Sequence, residues 1–256
     1  MKKLDFVEDN HIHLLCNGDE YFPRLEAAID GAHVEIHLET YIFEYDAVGR
    51  RIAEALMRAV QRGVSVYLLL DGFGSQNLSQ QIIHNLLNSG IKVLIFRPEF
   101  IFSMPRRHRL RRMHRKLTVI DAQTAFIGGI NIIDDRHNPE HLLPRFDYAI
   151  VIQGPLLATI HKAAKHLWMI VAWAHLKKRW TNRTDIKPSD KPSGNQKAAL
   201  VIRDNWRHRH DIEHAYLDAI NQAKSEIIIA NAYFLPGRKF SHALKNAARR
   251  GVRVEL

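Results

Sequence analysis

Residues 28–43, AIDGAHVEIHLETYIF, recur at 219–234 as AINQAKSEIIIANAYF. Ala28, Ile29, Ala32, Glu35, Ile36 and Phe43 return in fixed register as Ala219, Ile220, Ala223, Glu226, Ile227 and Phe234. After a three-residue gap, AVQRGVSV at 59–66 matches AARRGVRV at 247–254. Identities in register over a helix-then-strand pattern point to duplication of one structural unit. The second copy reaches Leu256 in its second strand.

The first copy sets the fold class. YFPRLEAAIDGA reads as a helix and VEIHLETYIF as a strand. VGRRIAEALMRAVQRG has apolar spacing near 3.6 and a glycine stop at Gly63; VSVYLLLDG follows as a strand. LSQQIIHNLLNSG is a further helix ending at Gly90, and IKVLIFR a strand. The β-α-β-α-β order predicts an α/β layered fold whose mixed, largely parallel sheet is flanked by helices. KLTVI, TAFIGG and FDYAIVIQG supply more strands. The polar stretch TNRTDIKPSDKPSGNQK reads as a linker or long surface loop. It divides the chain into a first half (1–180), a linker (181–197) and the start of an incomplete second half (198–256).

The 256 residues suffice for one large or two modest domains, and 46% apolar with 25% charged residues is an ordinary globular balance. The net charge of +10 favours an anionic partner: nucleic acid, an anionic membrane surface or a phosphorylated substrate. Cys16, the single cysteine, has no internal disulfide partner, which suits a reducing compartment; it reads as a small buried apolar residue. MKKLDFVEDN turns acidic where a signal peptide would be apolar. No run of about 18 apolar residues occurs, so membrane contact is expected to be peripheral.

The chemistry lies in HRKLTVID. His114 and Lys116 are two apart, so on a strand they share a face, while Arg115 and Leu117 point the other way. A neutral imidazole can attack phosphorus, and a protonated one can give a proton to a leaving oxygen. The neighbouring ammonium neutralises charge on the non-bridging oxygens. Gly128 and Gly129 let backbone approach a phosphate, and Asn131 adds a donor. Lys116 and the amides cover the electrostatic role, so neither a metal nor another cofactor is expected. A lone H-x-K on an amphipathic strand is commonly a solvated surface pair. H-x-K-x4-D followed by FIGGIN is far more restrictive.

That pattern resembles the phospholipase D superfamily, whose motif is H-x-K-x4-D followed by small residues and Asn. LETYIF, LLLDGFGS, RRMHRK, RDNWRHRHDIEHAYL and IANAYFLPGRKF extend the resemblance over essentially the whole chain, most closely to bacterial cardiolipin synthases of the B type. The resemblance implies a phospholipase D-like fold in both halves. It makes His114 the reactive histidine, as phosphohistidine or acid, with Lys116 and Asn131 binding phosphate. Asp121 matches the motif aspartate, which holds the loop and its neighbours through charge-assisted hydrogen bonds. Asp147 matches an acid that bonds the other imidazole nitrogen and fixes its tautomer; a strand-edge acid facing water is the competing reading.

The implied activity is phosphatidyl transfer through a phosphohistidine. With phosphatidylglycerol as donor and acceptor, the products are cardiolipin and glycerol. Water as acceptor would make the protein a hydrolase, and the motif does not choose. The implied partners are phosphatidylglycerol and other anionic phospholipids at the cytoplasmic face of the cell membrane, with nucleic acid not expected. Family members pair two motifs across a pseudo-twofold axis. One occurs here, and no other histidine has the required lysine and aspartate. The expectation is a two-motif protein truncated before its second motif, with an incomplete site; a homodimer is the other way to complete it. A silent fragment or lipid-binding module, or a nuclease of the same superfamily, are the alternatives.

Three other stretches have competing readings. RPEFIFSMPRRHRLRRMHR (97–115) is a lipid-touching loop or an ordinary basic one. LLATIHKAAKHLWMIVAWAHLKKRW is a helix expected to bury Trp168, with Trp173 to Trp180 as its membrane candidate. His208, His210 and His214 have spacing that could hold zinc but lack an acidic or cysteine ligand in pattern, so a solvated helix face is favoured. DGFGS (71–75) lacks a P-loop lysine and reads as a loop near the site rim.

Overall fold

The computed structural model describes residues 4–97, 112–134, 146–181, 186–203, 208–231 and 234–256. The chain has two compact units: Asp5–Ala199, and one that comprises Leu200–Leu256.

In the larger unit the elements run β1 (Val7–Cys16), α1 (Asn17–Asp30), β2 (Glu35–Thr40), α2 (Ala47–Gln61), β3 (Ser65–Asp71), α3 (Gln80–Asn88) and β4 (Lys92–Phe96). Then come β5 (Leu117–Ile120), β6 (Thr124–Gly128), β7 (Tyr148–Gln153), α4 (Leu157–Ala174), a 3-10 turn (Lys178–Thr181) and β8 (Gln196–Ala198). The eight strands form one sheet in the order β4-β3-β2-β5-β6-β7-β1-β8. The sheet is mixed, as expected, but mostly antiparallel where a largely parallel one was expected. Its parallel pairings are β2–β3 and β3–β4, the strands joined by helical crossovers. From β5 onward each neighbour pairs antiparallel. The hairpin-length turn after Ile120 permits only that direction for β5 and β6.

The crossovers carry ordinary start and stop signals. The Asp46 carboxylate accepts from Gly49 N at 2.9 Å to open α2, and Ser79 Oγ accepts from Ile82 N to open α3. Gly63 and Gly90, at φ of 91° and 96°, turn the chain after each helix into the next strand. One face of the sheet (Ile36, Leu38, Val66, Leu68, Leu70) packs on Leu25, Ile29, Ile52, Leu56 and Leu86 of α1 to α3. The opposite face meets α4, where Tyr67, Leu69 and Leu94 pack with Met113, Trp168, Val171 and Ala172. Burial of Trp168 therefore matches the sequence expectation.

β2 lies at the centre and every residue in it is buried, yet its α4-facing positions are Glu35, His37 and Glu39. A buried charge needs a partner. His161 of α4 supplies one, its Nε2 standing 2.5 Å from Glu35 Oε1. Burial pushes the Glu35 carboxyl up, but the imidazole bond and nearby positive charge outweigh it and hold the group at about 2. His37 stacks on Tyr67 with 4.5 Å between centroids, and burial lowers its pKa. Arg115 reaches Glu39 at 3.1 Å; burial dominates there and raises the carboxyl to about 7.

The antiparallel pairing of β5 to β2 is fixed by Asp121. Its Oδ2 accepts from His33 N at 2.8 Å, and its Oδ1 from Val34 N at 2.8 Å and Glu35 N at 2.9 Å. Asp121 N returns a bond to Glu35 O. Asp121 and Ala122, at φ of 51° and 49°, make the left-handed turn into β6.

Residues 186–198 run along the sheet rather than away from it. Ser189 N donates to Ala122 O, Ser193 N donates to Asp9 O, and β8 pairs with β1. β1 itself had no counterpart in the sequence reading, because VEDNHIHLLC mixes polar residues into most positions. Cys16 is half-buried, not buried. Trp180 lies beyond α4 and stacks on Trp168 at 6.4 Å.

The smaller unit repeats the pattern as α5 (Asp211–Gln222), β9 (Glu226–Ile228), α6 (Arg238–Arg249) and β10 (Arg253–Glu255). Its strands pair parallel with Glu226 opposite Arg253, as Glu35 lies opposite Ser65 in β2–β3. Those pairs are equivalent positions of the two sequence copies, so the repeat preserves strand register. Ile220, Leu244, Ala247 and Val252 form its core. His208 and His210 are each bonded to an acid three residues on, Asp211 and Glu213, which fits a solvated helix face.

The buried pair yields a test. His161→Leu should destabilise the chain by about 3 kcal/mol or more, because it takes the 2.5 Å imidazole bond from a buried carboxylate. Adding Glu35→Leu should recover most of that loss in urea unfolding. Since the folded pKa of Glu35 lies below its ordinary 4.5, its contribution is full above pH 4.5 and fades as pH falls toward 2.

Candidate active site

Strands β2 and β3 end side by side at Thr40 and Asp71, and the motif segment 112–116 enters β5 beside them. Ligands of α/β sheets bind at carboxyl ends of strands, where loops diverge. The chain emerging from β2 is fastened there by three neighbours. Ser75 Oγ donates to Tyr41 O and accepts from Phe43 N, both at 3.0 Å. Ile132 N donates to Ile42 O, and Asn131 Oδ1 accepts from Ile42 N at 3.0 Å. Gly74 is needed for this approach, since a Cβ there would lie 2.2 Å from Tyr41 O.

The motif segment is held from the other side by Asp71. One carboxylate oxygen accepts from Phe73 N and Gly74 N, and the other accepts from Met113 N at 2.7 Å. His114 and Lys116 therefore sit over the Tyr41 ring. The imidazole lies 4.8 Å from it, and Lys116 Nζ lies 5.1 Å from its centroid. Arg115 turns away to Glu39.

Lys116 Nζ is 3.2 Å from His114 Nδ1 and 3.1 Å from Nε2. Near-equal distances place the ammonium across the face of the imidazole, out of line with either nitrogen's in-plane lone pair. His114 is exposed and Lys116 is buried. Burial lowers the imidazole pKa, the Lys116 charge lowers it further, and Asp71 and Asp147 oppose this. Burial also brings the Lys116 ammonium down to about 8 against the same two acids. A neutral imidazole thus stands beside a cation, the pairing suited to attack on an anionic phosphodiester.

The remaining sequence candidates are placed as follows. Asn131 spends its amide oxygen on Ile42, which leaves its NH2 group as the donor. Asp121 lies at the far end of β5 from His114 and holds 33–35, a positioning part. Gly128 N donates to Lys116 O and Gly129 N to Tyr148 O. The expectation that these glycines offer backbone to phosphate is therefore corrected: both amides are committed to the sheet. A Cβ on Gly128 would meet Ala149 Cα at 2.4 Å, and one on Gly129 would meet the Asp147 carboxylate at 2.1 Å. The pair admits β7 and Asp147 to the site.

Asp147 does not bond the imidazole here. Its Oδ1 accepts from Tyr148 N at 2.7 Å, and its field, rather than a hydrogen bond, reaches His114. Asn17, at φ of 56°, fixes its backbone through reciprocal 2.8 Å bonds. Tyr41, Asp71, Ser75 and Asn17 were not singled out from sequence. LETYIF and DGFGS contain three of them, and a polar residue closing an apolar strand was the available signal.

Among the described residues one group has metal-ligand geometry: Glu35, His37 and His161, whose ligand atoms lie within 4.8 Å of one another. It is buried under α4, and Glu35 and His161 already bond each other.

A family model described as cardiolipin synthase, PLD-like domain, matches residues 25–168 and 216–256. Cardiolipin synthase B of Escherichia coli is 41% identical over 255 residues, covering 99% of this chain and 61% of its own length. The major cardiolipin synthase of Bacillus subtilis is 30% identical, covering 98% and 52%. The chain thus spans about three fifths or less of these relatives. Phosphatidylserine synthase of Haemophilus influenzae aligns over 98% of this chain and 62% of its own, with a TM-score of 0.65 and 16% identity, a likeness of fold. With motif, sheet and family model in agreement, the chain belongs to the cardiolipin synthase, PLD-like domain family.

Proposed function

We propose that this chain carries the nucleophile half of a phosphatidyltransferase that makes cardiolipin from phosphatidylglycerol. The reading is carried by one observation: the His114 imidazole, its pKa lowered, beside the Lys116 ammonium with both ring nitrogens off the line of that contact. A ring nitrogen of His114 attacks phosphorus of a phosphatidylglycerol, and the P–O bond to glycerol breaks. Lys116 and the Asn131 NH2 group neutralise and orient the non-bridging oxygens. Asp147 acts through its charge, favouring the imidazolium character that grows as the P–N bond forms. A second phosphatidylglycerol then gives its hydroxyl proton to the base left by that first departure, its oxygen attacks phosphorus, the P–N bond to His114 breaks, and cardiolipin is formed. Water in its place gives hydrolysis.

The acid that protonates the departing glycerol belongs to a second H-x-K-x4-D motif, which these 256 residues do not contain. It reaches the site either from a longer chain that carries both motifs or from a second copy of this one, and a second copy is what transfer by this chain alone requires. Phosphatidylglycerol and other anionic phospholipids would be met at the cytoplasmic face of the membrane, with the protein bound peripherally. Among the described residues no helix is long and apolar enough to cross a membrane.

The test is transfer by this chain on phosphatidylglycerol vesicles, scoring cardiolipin and glycerol at several protein concentrations. Transfer should rise steeply with concentration and fall by a factor of about 1,000 or more in His114→Ala. Equal turnover by that variant would overturn the reading. The rate should also be bell-shaped in pH. His114 must be neutral, so activity falls on the acid side below 6.5, where the imidazole protonates. Lys116 must be charged, so activity falls on the alkaline side near pH 8.

A further inference from the structure

Helix α4 leaves the sheet at the end of β7 remote from Asp147 and runs back toward the site. Its last turn is pinned there, with His175 Nε2 2.8 Å from Ile95 O near the carboxyl end of β4. Met113, the residue before His114, packs into one cluster with Trp168, Val171 and Ala172 of this helix. The carboxyl end of α4 and the reactive histidine therefore share one edge of the sheet.

That end has an apolar outer surface. Ile170 is 52% exposed, Trp173 57% and Leu176 84%. Ile170 and Trp173 are neighbours on the helix surface, and Leu176 follows directly after its end. Leu176 stands at φ 56°, where Lys177 N donates back to Ala172 O. Helices commonly end this way on glycine. A leucine in this position, almost wholly in solvent, is not explained by the fold.

The charge around it has one sign. Residues 157–181 contain Lys162, Lys165, Lys177, Lys178 and Arg179, and no aspartate or glutamate. Lys177 Nζ lies 4.8 Å over the Trp180 ring, and Trp180 is half-buried on Trp168. Apolar and aromatic side chains framed by cations match the chemistry of an anionic bilayer surface: acyl chains below, phosphate at the level of the lysines.

We infer that Ile170, Trp173 and Leu176, framed by Lys177 and Arg179, form the surface that seats this chain on an anionic bilayer with His114 toward the lipid. This deepens the phosphatidyl-transfer reading and rests on its substrate being a bilayer phospholipid. It keeps the outer side of the Trp173–Trp180 stretch expected from sequence, adds Ile170 and leaves out Trp180, which is stacked inward on Trp168.

The experiment is co-sedimentation of the chain with phosphatidylcholine vesicles, with and without phosphatidylglycerol, beside two double variants. Ile170→Ser with Leu176→Ser, and Lys177→Glu with Arg179→Glu, should each weaken binding to the phosphatidylglycerol vesicles by about tenfold or more. Quenching of tryptophan fluorescence by lipid brominated in the acyl chain should occur in the parent chain and drop in Trp173→Phe. Unchanged circular dichroism and urea midpoints show that the variants are folded. Binding within about twofold of the parent in both double variants would overturn the inference. So would a dimer, seen by sedimentation velocity, that is lost in the serine variant while lipid binding persists; the face would then seat a second copy. His114→Ala should bind vesicles as the parent does while transferring nothing, so failure of docking and failure of the chemistry are read separately.

Discussion

One carboxylate sets the position of everything at the site. Asp121 accepts from three successive amides at the start of β2 and gives its own N–H to Glu35 O. Hydrogen bonds to a charged acceptor are worth about 1.5–3 kcal/mol each, so the start of β2 and the end of β5 are tied. With that junction fixed, Ile120 faces Ile36 and Leu117 faces Glu39. A slip of one residue would exchange the two faces of β5 and carry His114 and Lys116 away from Tyr41. The motif aspartate thus acts from the far end of the strand, through register.

The other end of the strand is governed by charge. Asp71 and Asp147 favour protonation of His114 and Lys116, while burial opposes it at both and the Lys116 charge opposes it at His114. The two acids arrive by different routes. Asp71 closes β3 and is locked by three backbone amides. Asp147 is admitted by the missing side chain of Gly129 and clamped by Asn17. The balance leaves one cation and one neutral base, so the positive charge belongs to the group proposed to bind phosphate.

The motif was legible in the sequence because its parts are contiguous and its spacing is a strand's. The layered α/β class was legible because helices and apolar strands alternate between Ile29 and Phe96. What was not legible depends on contacts between distant segments. Tyr41, Asp71 and Ser75 meet the motif only through the order β3-β2-β5. The glycine pair was read as facing substrate, whereas β7, twenty residues on, fills the space beside it. The antiparallel pairings beyond β2 join strands distant in sequence, among them a β1 whose polar sequence disguised it. Residues 98–111, the centre of the basic stretch before the motif, lie outside the described residues.

A chain built from a duplicated pattern faces a hazard of identity: two similar sheets could each recruit the other's covering helix. The first copy has an answer in its central strand. Where β2 turns Glu35, His37 and Glu39 toward α4, the corresponding positions of the second copy are Glu226, Ile228 and Ala230. Any helix laid over β2 without an imidazole at the place of His161 would bury the Glu35 carboxylate without its 2.5 Å bond. The polar row therefore reads as an address: it favours, on this face of the sheet, the one helix that brings an imidazole to Glu35.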